Sequence, residues 1–247
     1  MRPERGLVDL HCHLLPGIDD GAKKPEVTFQ MARMAAESGV RQIVCTPHCT
    51  AGAHHMRQRI EWIKRAVAAF NAAFAKEEIP VTLYPGMELL CNERLAEALA
   101  RGEVLPLANS NCLLIEFRFD VRLAAIERAA ARVKSAGYTP MLAHPERYPV
   151  VWEEPECLEI WAREGYLLQL DKDSVLGRFG NHCARTAHWA LRHGVTFAIG
   201  SDAHDTKTRT AEMGTVWDTV RKEFGMDAEK LLLMGNPRTI IAVETTR

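Results

Sequence analysis

The chain has 247 residues, 47% hydrophobic and 26% charged, with a formal net charge of −1, which suits one large domain or two small ones with a sizeable buried core. A near-neutral pI of about 6.8 argues against a broad nucleic-acid or membrane-surface role, and no apolar run approaches the roughly 20 residues that span a bilayer. Seven scattered cysteines without a CxxC pair fit a reducing cytoplasm better than a disulfide framework, and residues 1–14 lack the apolar segment of a signal peptide.

Seven apolar, strand-like runs are expected at residues 7–10, 42–45, 81–84, 112–116, 139–143, 167–170 and 195–199. Helix-length stretches separate them. Residues 25–38 carry Pro25 at the start and Gly39 past the end, the expected start–stop asymmetry. Residues 60–76 are Ala-rich and amphipathic, residues 120–135 open on Asp120 as an N-cap, and residues 181–192 stop before Gly194. Strand–helix alternation predicts βα units and a largely parallel sheet. No linker or low-complexity tract divides the chain, so a single domain over 1–247 is expected.

Side chains that bind metals recur where these strands end. The first run closes on Asp9-Leu10-His11-Cys12-His13. Residues two apart on a strand share a face, so His11 and His13 point the same way, and Asp9 reads as a partner that orients a histidine. Asp19-Asp20-Gly21 follows; a turn is the plain reading, but its place between the histidine pair and a helix favours Asp20 as a ligand, with Asp19 as the competing choice. Thr46-Pro47-His48 and Pro85-Gly86-Met87-Glu88 end the second and third runs. Glu116 sits within Leu114-Ile115-Glu116-Phe117, where an unpaired carboxylate is costly to bury. Ala143-His144-Pro145-Glu146-Arg147 and Ser201-Asp202-Ala203-His204 complete the series. Imidazole and carboxylate suit zinc, manganese and iron. In α/β barrels the active site collects at the C-terminal ends of the strands. Closure of seven strands into a barrel would bring these side chains together, whereas an open sheet would spread them along an edge.

Arg147 and Arg209 would lie beside that face, where a planar guanidinium can clamp a phosphate. Cys112 and Cys157 match a bare Cys-x5-Arg spacing, but a strand follows the first and a helix the second, so neither can form the loop that cradles phosphate for a thiol nucleophile. His54, His55, His182, His188 and His193 read as surface or helix histidines.

Together these motifs resemble the PHP (polymerase and histidinol phosphatase) superfamily. More narrowly, Asp-Asp-Gly after the His-x-His pair, Leu-Ile-Glu-Phe and His-Pro-Glu-Arg-Tyr are similar to the manganese-dependent bacterial protein-tyrosine phosphatases of the CpsB/CapC/YwqE type. The resemblance covers nearly the whole chain, including Asn236-Pro237-Arg238. It implies a distorted seven-stranded (β/α)7 TIM-like barrel with three divalent ions, manganese preferred and zinc or iron as substitutes. One ion would take His11, His13, Glu88 and Asp202; a second would share Glu88 and add Glu116 and His144; a third would take Asp20, His48 and His204. Arg147 and Arg209 match phosphate-binding positions, and His204 offers weak acid assistance to the leaving group. The implied reaction is hydrolysis of phosphotyrosine by a metal-activated water in the cytoplasm, on a segment of a bacterial tyrosine kinase of capsule or exopolysaccharide synthesis. No nucleic acid or membrane insertion is implied, and a homo-oligomer is compatible with it. The sixth run ends Gln169-Leu170-Asp171-Lys172-Asp173, more charged than this resemblance leads one to expect. Those acids keep histidinol-phosphate phosphatase as the nearest rival, ahead of a module serving a DNA polymerase and of a purely structural metal protein.

Overall fold

The computed structural model describes residues 6–241, so the span of 1–247 expected for the domain extends beyond them at both ends. Strands form at β1 (Leu7–Cys12), β2 (Val40–Cys45), β3 (His48–Thr50), β4 (Thr82–Pro85), β5 (Glu88–Leu90), β6 (Cys112–Glu116), β7 (Thr139–Ala143), β8 (Leu167–Asp171) and β9 (Ala198–Gly200). All their pairings are parallel. They make two sheets, β1-β2-β4 and β3-β5-β6-β7-β8-β9.

Among the described residues nine strands stand where seven runs were expected, because the second and third runs are each followed by a break and a further short strand. Pro47, which has no N–H to donate, separates β2 from β3. Gly86 separates β4 from β5, and a Cβ there would lie 2.7 Å from Val44 Cγ1. Beyond each break the chain pairs again in the larger sheet. In that register His48 stands opposite Glu88, and Leu90 opposite Glu116. After β9 an isolated parallel bridge joins Ala203 to Cys12 of β1. Backbone bonds from His13 N to Ala203 O and from Asp202 N to His11 O, each 2.9 Å, hold that seam.

Parallel strands covered on both faces need apolar residues at nearly every position, and these strands have them. Leu7, Ile43, Leu83, Leu113, Ile115, Leu142, Leu168 and Ile199 join a core shared with the helices. Their alternates, Val8, Leu10, Val44, Cys112, Leu114, Met141, Ala143 and Ala198, form a separate smaller cluster drawn from both sheets, with Ile240 and Ile241 packed into it. The helices Pro25–Glu37, Met56–Lys76, Leu123–Ser135 and Asn181–Arg192 supply much of the outer layer. One start differs from expectation: Arg122, not Asp120, occupies the N-cap position. Asp120 instead pairs with the Arg118 side chain on the surface, at 3.1 Å. Among the described residues no helix is long and apolar enough to cross a membrane.

Candidate metal centre

β1 delivers the first donors. His11 and His13 project to one side as strand alternation requires, and their Nε2 atoms come within 3.2 Å of each other. Each ring is held from behind. His11 Nδ1 meets Gln169 Oε1 at 2.7 Å, and His13 Nδ1 meets Asp19 Oδ2 at 2.8 Å. A ring that donates Nδ1–H to an acceptor leaves the Nε2 lone pair facing forward. The two forward nitrogens lie 3.1 and 3.3 Å from Glu88 Oε2 and 3.4 and 3.3 Å from Asp202 Oδ1. Gly21 lets the Asp19 turn lie against His13: a Cβ at that position would collide with the His13 backbone oxygen and Cβ.

Three overlapping groups of donors result, each with its atoms within 4.8 Å of one another: His11, His13, Glu88 and Asp202; His13, Asp20, His48 and His204; and His48, Glu88 and Glu116. The first is the set that the sequence resemblance assigns to one ion. The second adds His13 to an expected set. The third brings His48 to Glu88 and Glu116 of an expected set, whose remaining member, His144, has its Nε2 2.9 Å from the other Glu88 oxygen, Oε1. Asp20, the preferred member of its pair, stands 3.5 Å from His48 Nε2 and 3.3 Å from His204 Nε2. Asp9 departs from its expected role. Its Oδ1 accepts from the backbone N–H groups of His11 and Ser201, at 3.2 and 2.9 Å, and so ties β1 to the segment after β9 without orienting a ring.

These residues fit divalent ions. Buried Glu88 Oε2, Asp202 Oδ1 and His204 Nε2 have no hydrogen-bond partner, although Glu88 Oε2 lies within 3.0–3.3 Å of three imidazole nitrogens. Lone pairs therefore converge on shared space. Donors that surround a common centre at ~2.0–2.2 Å are spaced in just this way. Asp202 and His144 also take positive φ, 47° and 35°, a conformation that costs a non-glycine residue ~1–3 kcal/mol and clusters at functional sites. β9 has ended by then, so a turn and not strand alternation brings Asp202 and His204 together.

Charge is balanced within the cluster. Burial would raise Glu88 and Asp202, but His11 and His13 hold both carboxyls well below the usual range, helped by His144 at Glu88 and by Arg209 at Asp202. Burial would lower His48, but its bond to Glu116 and the Glu88 carboxylate 3.0 Å away push it up to about 10. His204 goes the other way: burial and the neighbouring His13 bring it down to about 4. Its Nδ1 lies 2.9 Å from the Asp202 carbonyl, so the uncharged ring at neutral pH donates there and offers a bare lone pair at Nε2. Asp19 is held at about 2, because His13 and the backbone N–H groups of Gly21 and His48 outweigh burial.

Two guanidinium groups complete the rim. Arg147 Nη1 reaches Asp202 Oδ2 at 3.0 Å, and Arg209 Nη2 contacts the same oxygen. Asp202 thus turns one oxygen to the histidines and the other to the arginines.

The family described as capsular polysaccharide synthesis, CpsB/CapC, matches residues 7–242. The chain belongs to this family. It is 31% identical over 226 residues to the tyrosine-protein phosphatase YwqE of Bacillus subtilis, spanning 92% of this chain and 88% of that one. It is 25% identical over 240 residues to the tyrosine-protein phosphatase CpsB of Streptococcus pneumoniae, spanning 95% and 98%. A crystal structure from work on YwqE from Bacillus subtilis and CpsB from Streptococcus pneumoniae, described there as unique metal-dependent tyrosine phosphatases, superposes with a TM-score of 0.87. Its identity is 29%, and it covers 98% of this chain and 96% of the other.

In this CpsB/CapC chain several contributors escape sequence reading. Gln169 was legible in principle: a polar residue inside Leu167-Leu168-Gln169-Leu170 must find a partner when buried, and that partner is His11. Gly200 is another, since a Cβ there would lie 2.7 Å from Gln169 Nε2 and 2.8 Å from His11 Cβ. The charged end of β8 is internally spent. Buried Lys172 and half-exposed Arg178 hold Asp173 at 3.2 and 2.8 Å. Asp171 caps the short helix Lys172–Val175, accepting from Asp173 N. Burial and the nearby Asp202 push its carboxyl well above the usual range, against the pull of Arg147 at 3.6 Å. The cysteines are free, and burial pushes Cys157 up to about 12 and Cys112 higher still, so neither supplies a thiolate.

Proposed function

We propose that this chain is a metal-dependent phosphomonoesterase that hydrolyses phosphotyrosine. The observation that carries the reading is the overlap of three donor groups on Glu88 and His13, beneath two guanidiniums that meet at Asp202. The relatives named as tyrosine-protein phosphatases supply the substrate class.

In this reading His11, His13, Asp20, His48, Glu88, Glu116, His144, Asp202 and His204 hold up to three divalent ions, manganese preferred for a carboxylate-rich mixed site. Bound ions supply Lewis acidity and ionise water near neutral pH, bringing its pKa toward ~7. The protein does the rest. Arg147 and Arg209 hold the equatorial phosphate oxygens with planar forks as charge redistributes. Gln169 and Asp19 keep His11 and His13 in the tautomer that faces the cluster. His204, uncharged with Nδ1–H committed to a carbonyl, enters as a lone-pair donor, and a phenolate is a good enough leaving group to depart without a proton from it. No phosphoenzyme is needed.

We read the two sheets as one distorted (β/α)7 barrel, counting β2 with β3 and β4 with β5 as interrupted strands. The inner apolar cluster shared by both sheets and the Cys12–Ala203 bridge support that reading. The physiological substrate in this reading is a phosphorylated tyrosine-rich segment of a cytoplasmic kinase domain that controls polysaccharide export. The rival, a small cationic phosphate such as histidinol phosphate, needs a free carboxylate near the site. Asp171 is buried beside Arg147 and caps a helix, and Asp173 is engaged by Lys172 and Arg178, which counts against it.

Turnover of a phosphoester panel by purified manganese-loaded protein tests the proposal. A phosphotyrosyl peptide should exceed a phosphoseryl peptide and histidinol phosphate in kcat/KM, and chelation should abolish all turnover. A tenfold preference for histidinol phosphate, about 1.4 kcal/mol at the transition state, would overturn the substrate assignment. Full activity in chelator, with no metal in the protein, would overturn the mechanism.

A further inference from the structure

On one flank of the donor cluster the lining turns aromatic. The Arg147 guanidinium carbon lies 4.5 Å from the centre of the Phe179 ring and 5.2 Å from that of Phe119. Both rings thus stand next to the group that reaches Asp202. Phe119 follows Glu116 by three residues and is 52% exposed; Phe179 is half-buried in the loop after the helix Lys172–Val175. Both rings line a cavity of about 290 Å³ together with Arg147, Pro149, Trp152 and Cys183.

A phenyl ring left half in water forgoes much of the gain of burial, and Phe119 stands outside both apolar cores of the fold. Arg147 lies over the ring and Tyr148 stands tilted 6.1 Å away, which leaves its exposed half for another ring. The cavity is lined by Arg147, whose guanidinium the proposed reading gives to the phosphate. An aryl group one ester oxygen from that phosphate comes within reach of Phe119 and Phe179, where offset or edge-to-face contact with a ring is favourable. A phosphoserine would bring only a methylene to the same place.

We infer that Phe119 and Phe179 form the subsite for the aromatic ring of the phosphoester and set its preference for aryl over alkyl phosphates. The inference rests on the phosphotyrosine reading above. A different role would be to brace Arg147 alone, and the two are separable. The full-length metal-loaded protein is assayed on phenyl phosphate and propyl phosphate, and binding of benzylphosphonate and propylphosphonate is measured by calorimetry. Phe119→Ala should lower the aryl-to-alkyl ratio of kcat/KM about tenfold, equivalent to ~1.4 kcal/mol, with Phe179→Ala acting in the same direction. Phe119→Ala should lower the ratio of the two phosphonate affinities by a similar factor, and Phe119→Tyr should retain both ratios. If both substrates slow together, the rings only brace Arg147 and the inference is wrong; unchanged rates overturn it equally. Wild-type protein inactive on both esters would refute the phosphatase reading, and the phosphonate affinities would then decide the ring subsite alone.

Discussion

Gln169→Leu should weaken metal binding without dismantling the fold. Leucine is close to glutamine in size and native to the flanking run, so β8 should keep its packing. What it lacks is the carbonyl that accepts from His11 Nδ1 at 2.7 Å. The wild-type amide cannot turn away, because its nitrogen is fixed on the Leu170 carbonyl at 2.6 Å. Both partners are fully buried, so no water replaces the lost acceptor. Leaving the His11 N–H unpaired costs about 1–3 kcal/mol. The ring then has reason to place its proton on Nε2, the atom that faces His13, Glu88 and Asp202. Loss of such an orienting partner typically reduces metal affinity about 10–100-fold. Equilibrium dialysis against manganese, with bound metal read by elemental analysis, measures that factor, and urea unfolding of the chelated protein measures the stability cost. Gln169→Glu, which keeps an acceptor at the same place, should retain more affinity than the leucine variant. A leucine variant that binds manganese as tightly as the wild type and unfolds at the same urea concentration would show that Gln169 does not set the His11 tautomer.

Glu88→Gln should be among the most damaging single changes, costing more than the roughly 100-fold that loss of an outer partner costs, since Glu88 serves two donor groups. Cys112→Ser, in the smaller apolar cluster, should leave kcat nearly unchanged, and its inactivation in a folded, metal-loaded protein would revive a thiol mechanism. Gly200→Ala should reduce metal content in elemental analysis, because its Cβ meets both Gln169 and His11; full loading would refute that steric account. Chelated protein should lose stability as pH rises: His48 is raised to about 10 in the fold, so its contribution is full below ~6.5 and is lost as the ring deprotonates through about 10. With about a third of the His48 side chain in water, screening leaves about 1 kcal/mol or less. The urea midpoint should fall more between pH 7 and 9.5 in wild type than in His48→Asn, and equal slopes would sink the idea.

The sequence by itself determined the parallel strand–helix alternation, because runs such as residues 139–143 are apolar at nearly every position and helices such as residues 181–192 end at a glycine turn. It also determined which side chains face one another locally: strand period places His11 and His13 on one side wherever β1 sits. The breaks were not read, although Pro47 and Gly86 stand in plain view, since neither residue says that the chain will resume pairing in another sheet. Only the tertiary structure decided how donors group across long separations. His48 joins Glu88 and Glu116 because β3 and β5 are in register, while His144 meets the other Glu88 oxygen. Gln169 reaches His11 across 158 residues, and Asp171 and Asp173 turn inward to Arg147, Lys172 and Arg178. Local pattern fixes the direction in which a side chain leaves the backbone, but not which distant side chain meets it. That is set by sheet register and by the turns after the strands, where Asp202 and His144 take backbone angles that no periodicity encodes.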